Sequence, residues 1–320
     1  MKRHIMAWFL AFSLPLVCGG ATCNFATPPT GPLAPVAFVG TPTLPQVMQT
    51  VNANTQRVQQ LHTETASVST PGFPPLRATL SVERPRRFRL RGKLFGPELD
   101  MGSNDEVFWF WARITGQPAV LFARHDQFAQ SQAQQMLPIE PAWIVDALGL
   151  MKLDPGMQHD GPFPKGNGQI EVRSQIRGSR GVVTRTLVID PTYGWIVEQH
   201  ITDANNRLLA SALASNHRFY PEYGVSLPHR VEVRAPAANL TFQIEVGHYF
   251  INRPVEDPLE MWSLPEIAGQ TPINLSNVSG GQGGGAHTGV PNYGQPLPPS
   301  YPPDPRTGFR PQFRGYSQVR

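Results

Sequence analysis

Few side chains in this sequence are spaced to do chemistry together. There are nine histidines, and His125, His159, His200, His217, His229 and His248 each stand alone. No His-x-x-x-His and no cysteine pair is present to hold a metal. There is no Gly-x-Ser-x-Gly nucleophile turn. Gly280 to Gly285 is followed by no Gly-Lys-Ser/Thr, so it is low complexity and not a phosphate loop. The acidic pairs Asp105-Glu106 and Glu256-Asp257 sit at turns, where solvation explains them. The expectation is a protein without catalysis, cofactor or metal.

Arginine is the other reactive type. Six basic residues lie between Arg84 and Lys93. Arg87, Arg89, Arg91 and Lys93 alternate with Phe88, Leu90 and Leu94, as expected for the wet face of a strand, since strand side chains point to opposite faces with a period of two. Arg84 stands outside that row, at the Arg84-Pro85 junction between two strands. Near the end of the chain, Arg306, Arg310 and Arg314 interleave with Phe309, Phe313 and Tyr316. Such a pattern grips anionic polymers or headgroups or is simply a solvated tail. The net charge of +4 is mild, and no nucleic-acid partner is expected.

The only two cysteines, Cys18 and Cys23, follow a basic start (Lys2, Arg3) and a short apolar run from Ile5 to Val17. That layout is a secretory signal over residues 1–22, and the run is too short for a stable bilayer anchor. Two outcomes are open. Cys23, after Gly20-Ala21-Thr22, is acylated as the first mature residue of a bacterial lipoprotein and tethers the protein to a membrane surface. Alternatively, cleavage near Ala21 leaves a soluble protein. Asn239, Asn274 and Asn277 fit the N-glycosylation pattern, which matters only in a eukaryotic secretory pathway.

The 34 prolines and 29 glycines crowd toward the two ends. Residues 23–43 read as a Pro-rich tether and 265–320 as a disordered tail, leaving a domain at 44–264. Leu44–Leu61 has helical spacing and an amphipathic face. Leu76, Ala78, Leu80 and Val82 alternate with polar neighbours, as do Phe88, Leu90 and Leu94, giving two antiparallel strands with one dry face. Residues 106–114 carry Phe108, Trp109, Phe110 and Trp111, and 119–123, with Leu121, is another short strand. Gln127–Gln135 and Ile139–Leu148 read as helices, the second with Trp143, Ile144, Ala147 and Leu148 at helical spacing. Residues 154–168 read as a loop. Strands resume at 170–177, 182–189, 195–201, 207–218, 231–234 and 240–246. The fold class is therefore mainly β (α+β), with about nine to eleven strands in one antiparallel sheet.

This order of elements resembles the LolA/LolB-like superfamily of periplasmic lipoprotein carriers and receptors. The residues carrying the resemblance are Val82-Glu-Arg-Pro-Arg-Arg-Phe-Arg-Leu90, the aromatic strand Asn104-Asp-Glu-Val-Phe-Trp-Phe-Trp111, the mid-chain helices and the strands after them. The resemblance covers about residues 44–264. It implies a strongly curved half-barrel with an N-terminal helix and lid helices on its concave face. It also implies a periplasmic location and Arg84 as the latch of a lid that includes Ile139–Leu148. Leu80, Val82, Phe88, Leu90 and Leu94 would line the concave face with Phe108, Phe110 and Leu121. Trp143, Ile144 and Leu148 would close it from the lid. The Pro-rich leader and long tail depart from a free shuttle.

The leading expectation is thus an exported envelope protein, monomeric and non-enzymatic. It would hold acyl chains of a lipid or lipoprotein for transfer or sensing, and it would be anchored to the outer membrane if Cys23 is lipidated. The alternative is a structural or interaction protein whose half-barrel is filled by its own side chains.

Overall fold

The computed structural model describes residues 31–113, 119–128, 141–178 and 181–277. The signal segment, Cys18, Cys23, most of the Gln127–Gln135 helix and residues 278–320 lie outside these.

After helix α1 (Leu44–Gln56), the chain runs through β1 (Gln60–Ser69), β2 (Leu76–Glu83), β3 (Arg87–Lys93), β4 (Pro97–Ser103), β5 (Val107–Ala112) and β6 (Leu121–Arg124). Two short helices follow, α2 (His125–Phe128) and α3 (Pro141–Val145), the latter continued by a π-type turn, Asp146–Leu150. Then come β7 (His159–Pro164), β8 (Ile170–Gly178), β9 (Gly181–Ile189), β10 (Ile196–Thr202), β11 (Leu208–Tyr220), β12 (Val225–Ala235), β13 (Leu240–Val246) and β14 (Phe250–Ile251). Helix α4 (Pro258–Met261) and β15 (Ile273–Asn274) close the described chain.

The fifteen strands of the described residues join one curved, unclosed sheet in the order β15-β6-β5-β4-β3-β2-β1-β13-β12-β11-β10-β9-β8-β7, with β14 paired to β1. Neighbours are antiparallel except β15 on β6. The mainly-β half-barrel is as expected, but the strands outnumber the nine to eleven read from the sequence. The reasons are local. The expected first helix ends at Gln56, and Gln60–Ser69 is strand. A bulge between Thr63 and Ala66 breaks its period of two, so Leu61 and Thr63 face inward, then Ala66 and Val68. β4 (Pro-Glu-Leu-Asp-Met-Gly-Ser) and β7, inside the expected loop, are too rich in Pro, Gly and Asp to read as strands. β14 and β15 have two residues each. The sheet also reaches past the expected boundary at 264, because Leu275 is buried beside β6.

One face of the sheet is apolar and covered. On it α1 sets Val47 and Val51 against Val172, Leu187, Ile189 and Ile196. Residues 141–150 lie over the centre, against Leu80, Leu90, Ala212, Leu227 and Val233. At the far end Phe108 and Ala123 meet Phe128 and Leu275.

The outer face corrects the expected row of solvated arginines. Arg89 is only 4% exposed. Its Nε and Nη2 donate to Asp100, the latter at 2.7 Å, and its Nη1 donates to the carbonyls of Glu260 and Met261 at 2.9 Å each. The Trp109 indole N–H also donates to Asp100, at 2.9 Å, and the Arg89 guanidinium lies 5.4 Å from that ring. Trp109 rests on Gly102, where any Cβ would sit 2.3 Å from the ring, so only glycine fits. Residues 257–262 thus bury on the outer face a cation that alternation alone assigns to water. Arg89→Met should cost about 3 kcal/mol in urea unfolding, because it strands the Asp100 carboxylate. The double substitution Arg89→Met/Asp100→Leu should recover much of that loss.

Candidate functional site

The inner face is built in rows set by register. Leu80, Leu90, Met101, Phe110 and Leu121 are successive partners across β2 to β6. Val82, Phe88, Ser103, Phe108 and Ala123 form the next row. The structure therefore brings most of the sequence-predicted lining to one face. Leu80, Val82, Phe88, Leu90, Phe108, Trp143, Ile144 and Leu148 are all buried. Phe110 and Leu121 are half-buried against the same face. Leu94 is a correction: it is 44% exposed. It lies just past the end of β3, where the pairing with β4 has slipped between Gly92 and Lys93, so its expected inward phase is lost.

The cover, 141–150, presses Trp143, Ile144, Val145, Ala147, Leu148 and Leu150 into this face. It ends at Gly149, whose φ of 86° and contact with Pro228 exclude a side chain: a Cβ would lie 2.8 Å from the proline ring. Beyond it, Asn52 of α1 pairs through both amide atoms with the Leu153 backbone, at 2.8 Å each, and Thr55 Oγ1 donates to the Met151 carbonyl. Helix α1 therefore pins the exit of the cover. Arg84, expected on the lid, donates its hydrogen bonds to the Thr55 carbonyl in the last turn of α1 (2.8 Å) and to the Val58 carbonyl just beyond it (3.4 Å). It adds a donor at the end of the helix, touches the cover through Thr55, and its charge also pulls on Asp146 of the cover.

The polar tie on the cover itself is Asp146, which no sequence signal singled out. Arg185 Nη1 donates to Asp146 Oδ2 at 2.8 Å, and Gln199 Nε2 donates to the Asp146 carbonyl at 3.0 Å. Burial pushes the Asp146 carboxyl up from the usual carboxylate range, against the pull of Arg185 and of Arg84. Among the described residues no group of three or more His, Cys, Asp or Glu is placed to hold a metal, and no helix is long and apolar enough to cross a membrane.

A cleft of about 490 Å³ opens elsewhere, between residues 34–37, α1, the turn 193–195 and the strands β11 and β12. None of the predicted lining residues borders it. One wall is an aromatic ladder: Tyr193 stacks on Trp195 at 4.4 Å, and Trp195 on His217 at 4.6 Å. Burial lowers the His217 pKa to about 4. Nearby, His229 is buried, and its Nδ1–H donates to the Val246 carbonyl at 2.7 Å. Its Nε2 therefore accepts from the Tyr220 hydroxyl at 2.9 Å, which needs a neutral ring. Burial holds its pKa at about 4 too.

No family model and no curated relative matches the chain. Solved structures do. A domain described as an outer membrane lipoprotein-sorting protein of Vibrio parahaemolyticus is 8% identical with a TM-score of 0.43, over 66% of this chain and 94% of that one. A LolA superfamily protein of Nitrosomonas europaea is 9% identical with a TM-score of 0.42, over 70% and 98%. A DUF1329 family protein of Desulfovibrio piger is 11% identical with a TM-score of 0.41, over 68% and 96%. Likenesses this loose say nothing of a ligand, which has to be sought in the site's own geometry.

The histidines predict a pH dependence. A folded pKa near 4, below the unfolded value of about 6.5, gives stability that is complete above pH 6.5. It is lost as pH falls toward 4, by on the order of 2 kcal/mol per histidine. Urea unfolding at pH 7.5 and 4.5 should show this loss, and His229→Gln should remove about half of it. Asp146, with its raised pKa, works with the opposite sign and is common to both proteins.

Proposed function

We propose that this chain is an exported, non-catalytic envelope protein that holds acyl chains of a lipid or lipoprotein against the inner face of its half-barrel. Residues 141–150 would act as the exchangeable cover. The observation that carries this reading is the nature of that cover. Its hold on the sheet is mainly the burial of Trp143, Ile144, Ala147, Leu148 and Leu150, a non-directional force that an acyl chain supplies equally well. Among the described residues, its hydrogen bonds to strand side chains are those of the Asp146 carboxylate with Arg185 and the Asp146 carbonyl with Gln199.

In this reading Arg84 fixes the end of α1, and through Thr55 the point where the cover leaves the sheet. It is a positioning residue whose charge also attracts Asp146 of the cover. The basic, then apolar, N-terminus would send the protein to the bacterial periplasm, with Cys23 as its lipid tether to the outer membrane. A monomer suffices, because face and cover belong to one chain.

One observation favours the alternative of a self-filled half-barrel that serves interactions. Most of the predicted lining is already buried by the chain's own side chains, and the 490 Å³ cleft lies outside it.

Mass spectrometry of lipids extracted from natively purified protein separates the two. Acyl chains in roughly equimolar amount are expected. Leu148→Ala should cost about 2–5 kcal/mol in stability and raise acyl occupancy, because it opens room under the cover. No lipid in either protein would leave the interaction reading standing.

A further inference from the structure

The inner face carries a charge that its apolar surroundings do not explain. Ser174, Arg185, Ile201 and Ala210 form one row across β8 to β11. Val172, Leu187, Gln199 and Ala212 form the next. The Arg185 side chain is 17% exposed, and a guanidinium so placed needs an anion. The chain supplies Asp146 from the cover, but the fit is incomplete. Only Nη1 reaches the carboxylate, at 2.8 Å, and the same nitrogen lies 3.9 Å from Met151 Sδ. Arg185 Nε is buried without a hydrogen-bond partner among the described residues, as are Gln199 Oε1 and the Trp143 indole N–H. Gln199 is 3% exposed. A guanidinium takes carboxylates and phosphates best through two parallel bonds. Asp146, held by the backbone of its turn, makes one. By contrast, Arg89 on the outer face spends Nε and both terminal nitrogens on acceptors.

We propose that Asp146 is a stand-in for the head of the ligand: it occupies on Arg185 the place of the oxyanion of an anionic amphiphile whose apolar chain replaces the side chains of the cover. This rests on the acyl-binding reading above and names its ligand class, an apolar chain ending in a carboxylate or phosphate. The exchange conserves buried charge. The incoming oxyanion neutralises Arg185, and Asp146 leaves with the cover for water. A neutral amphiphile of the same length would displace Asp146 and leave the guanidinium buried and unpaired, so the site selects against it.

The test uses the folded full chain, a dansyl fatty acid as fluorescent probe, and dodecanoate, dodecyl phosphate, dodecanol, acetate and inorganic phosphate as competitors. Dodecanoate and dodecyl phosphate should displace the probe at about tenfold lower concentration than dodecanol, the worth of one charge-assisted bond. Acetate and inorganic phosphate should not displace it, which separates a lipid head from a free anion. Asp146→Asn should tighten both anionic amphiphiles severalfold. Arg185→Gln should erase the preference over dodecanol, and Arg185→Lys should keep part of it, with circular dichroism to confirm folding. If Arg185→Gln fails to fold, Asp146→Asn and Arg185→Lys decide: anion affinity unchanged in Asp146→Asn overturns the proposal. Equal displacement by dodecanol, or a preference that survives Arg185→Gln, overturns the stand-in and leaves acyl binding intact. Failure of the probe and every amphiphile to bind overturns both.

Discussion

An open sheet with one apolar face cannot stand in water uncovered, and the rest of this structure follows from that constraint. Alternation in β2, β3 and β5 and in the strands from β8 onward gives the sheet its greasy side, and the unclosed path from β15 to β7 leaves that side without a second sheet. Among the described residues, four separate pieces of chain cover it. Helix α1 takes the β8–β10 end, 141–150 takes the centre, and Phe128 with Leu275 takes the far end. The covers are linked to one another. Asn52 and Thr55 of α1 hold the chain just past the central cover, and Arg84 ties the end of α1 to the junction of β2 and β3.

Charge is handled differently on the two faces. On the outer face, Arg89 and Asp100 are enclosed by Trp109 and residues 257–262, with donors and acceptors matched. Such a pair is closed to exchange, because any partner removed leaves an uncompensated ion. On the inner face, Arg185 meets Asp146 through one nitrogen, and polar atoms nearby have no partner among the described residues. The Arg89–Asp100 pair, with every guanidinium nitrogen bonded, lies under the chain leading toward the C-terminus, although the Trp111 and Trp262 indole N–H groups there have no partner among the described residues; the singly bonded Arg185–Asp146 pair lies under the cover of the apolar face. That division suits a rigid outer wall and a replaceable inner cover.

Much of the fold was legible because a period of two is a property of neighbouring residues. Leu80, Val82, Phe88 and Leu90 declare their face within one strand each, and Trp143, Ile144 and Leu148 declare theirs within two turns of helix. The strands that escaped were those whose local signal is broken: β1 by its bulge, β4 and β7 by proline and glycine. Leu94 failed for a related reason, since its inward phase holds only while the strand lasts, and β3 ends one residue earlier.

By itself, then, the sequence determined an antiparallel sheet with one dry face, helices to cover it, and little sign of catalytic chemistry. Only the tertiary structure decided which charges meet. Arg185 and Asp146 are 39 residues apart, and Arg89 and the Glu260 carbonyl 171. Alternation assigns an arginine to a face, but whether that face is wet depends on what distant chain folds over it. Desolvation is a property of the assembled packing, and so the burial of Arg89, the partner of Arg84 and the incomplete pairing of Arg185 could be read only there.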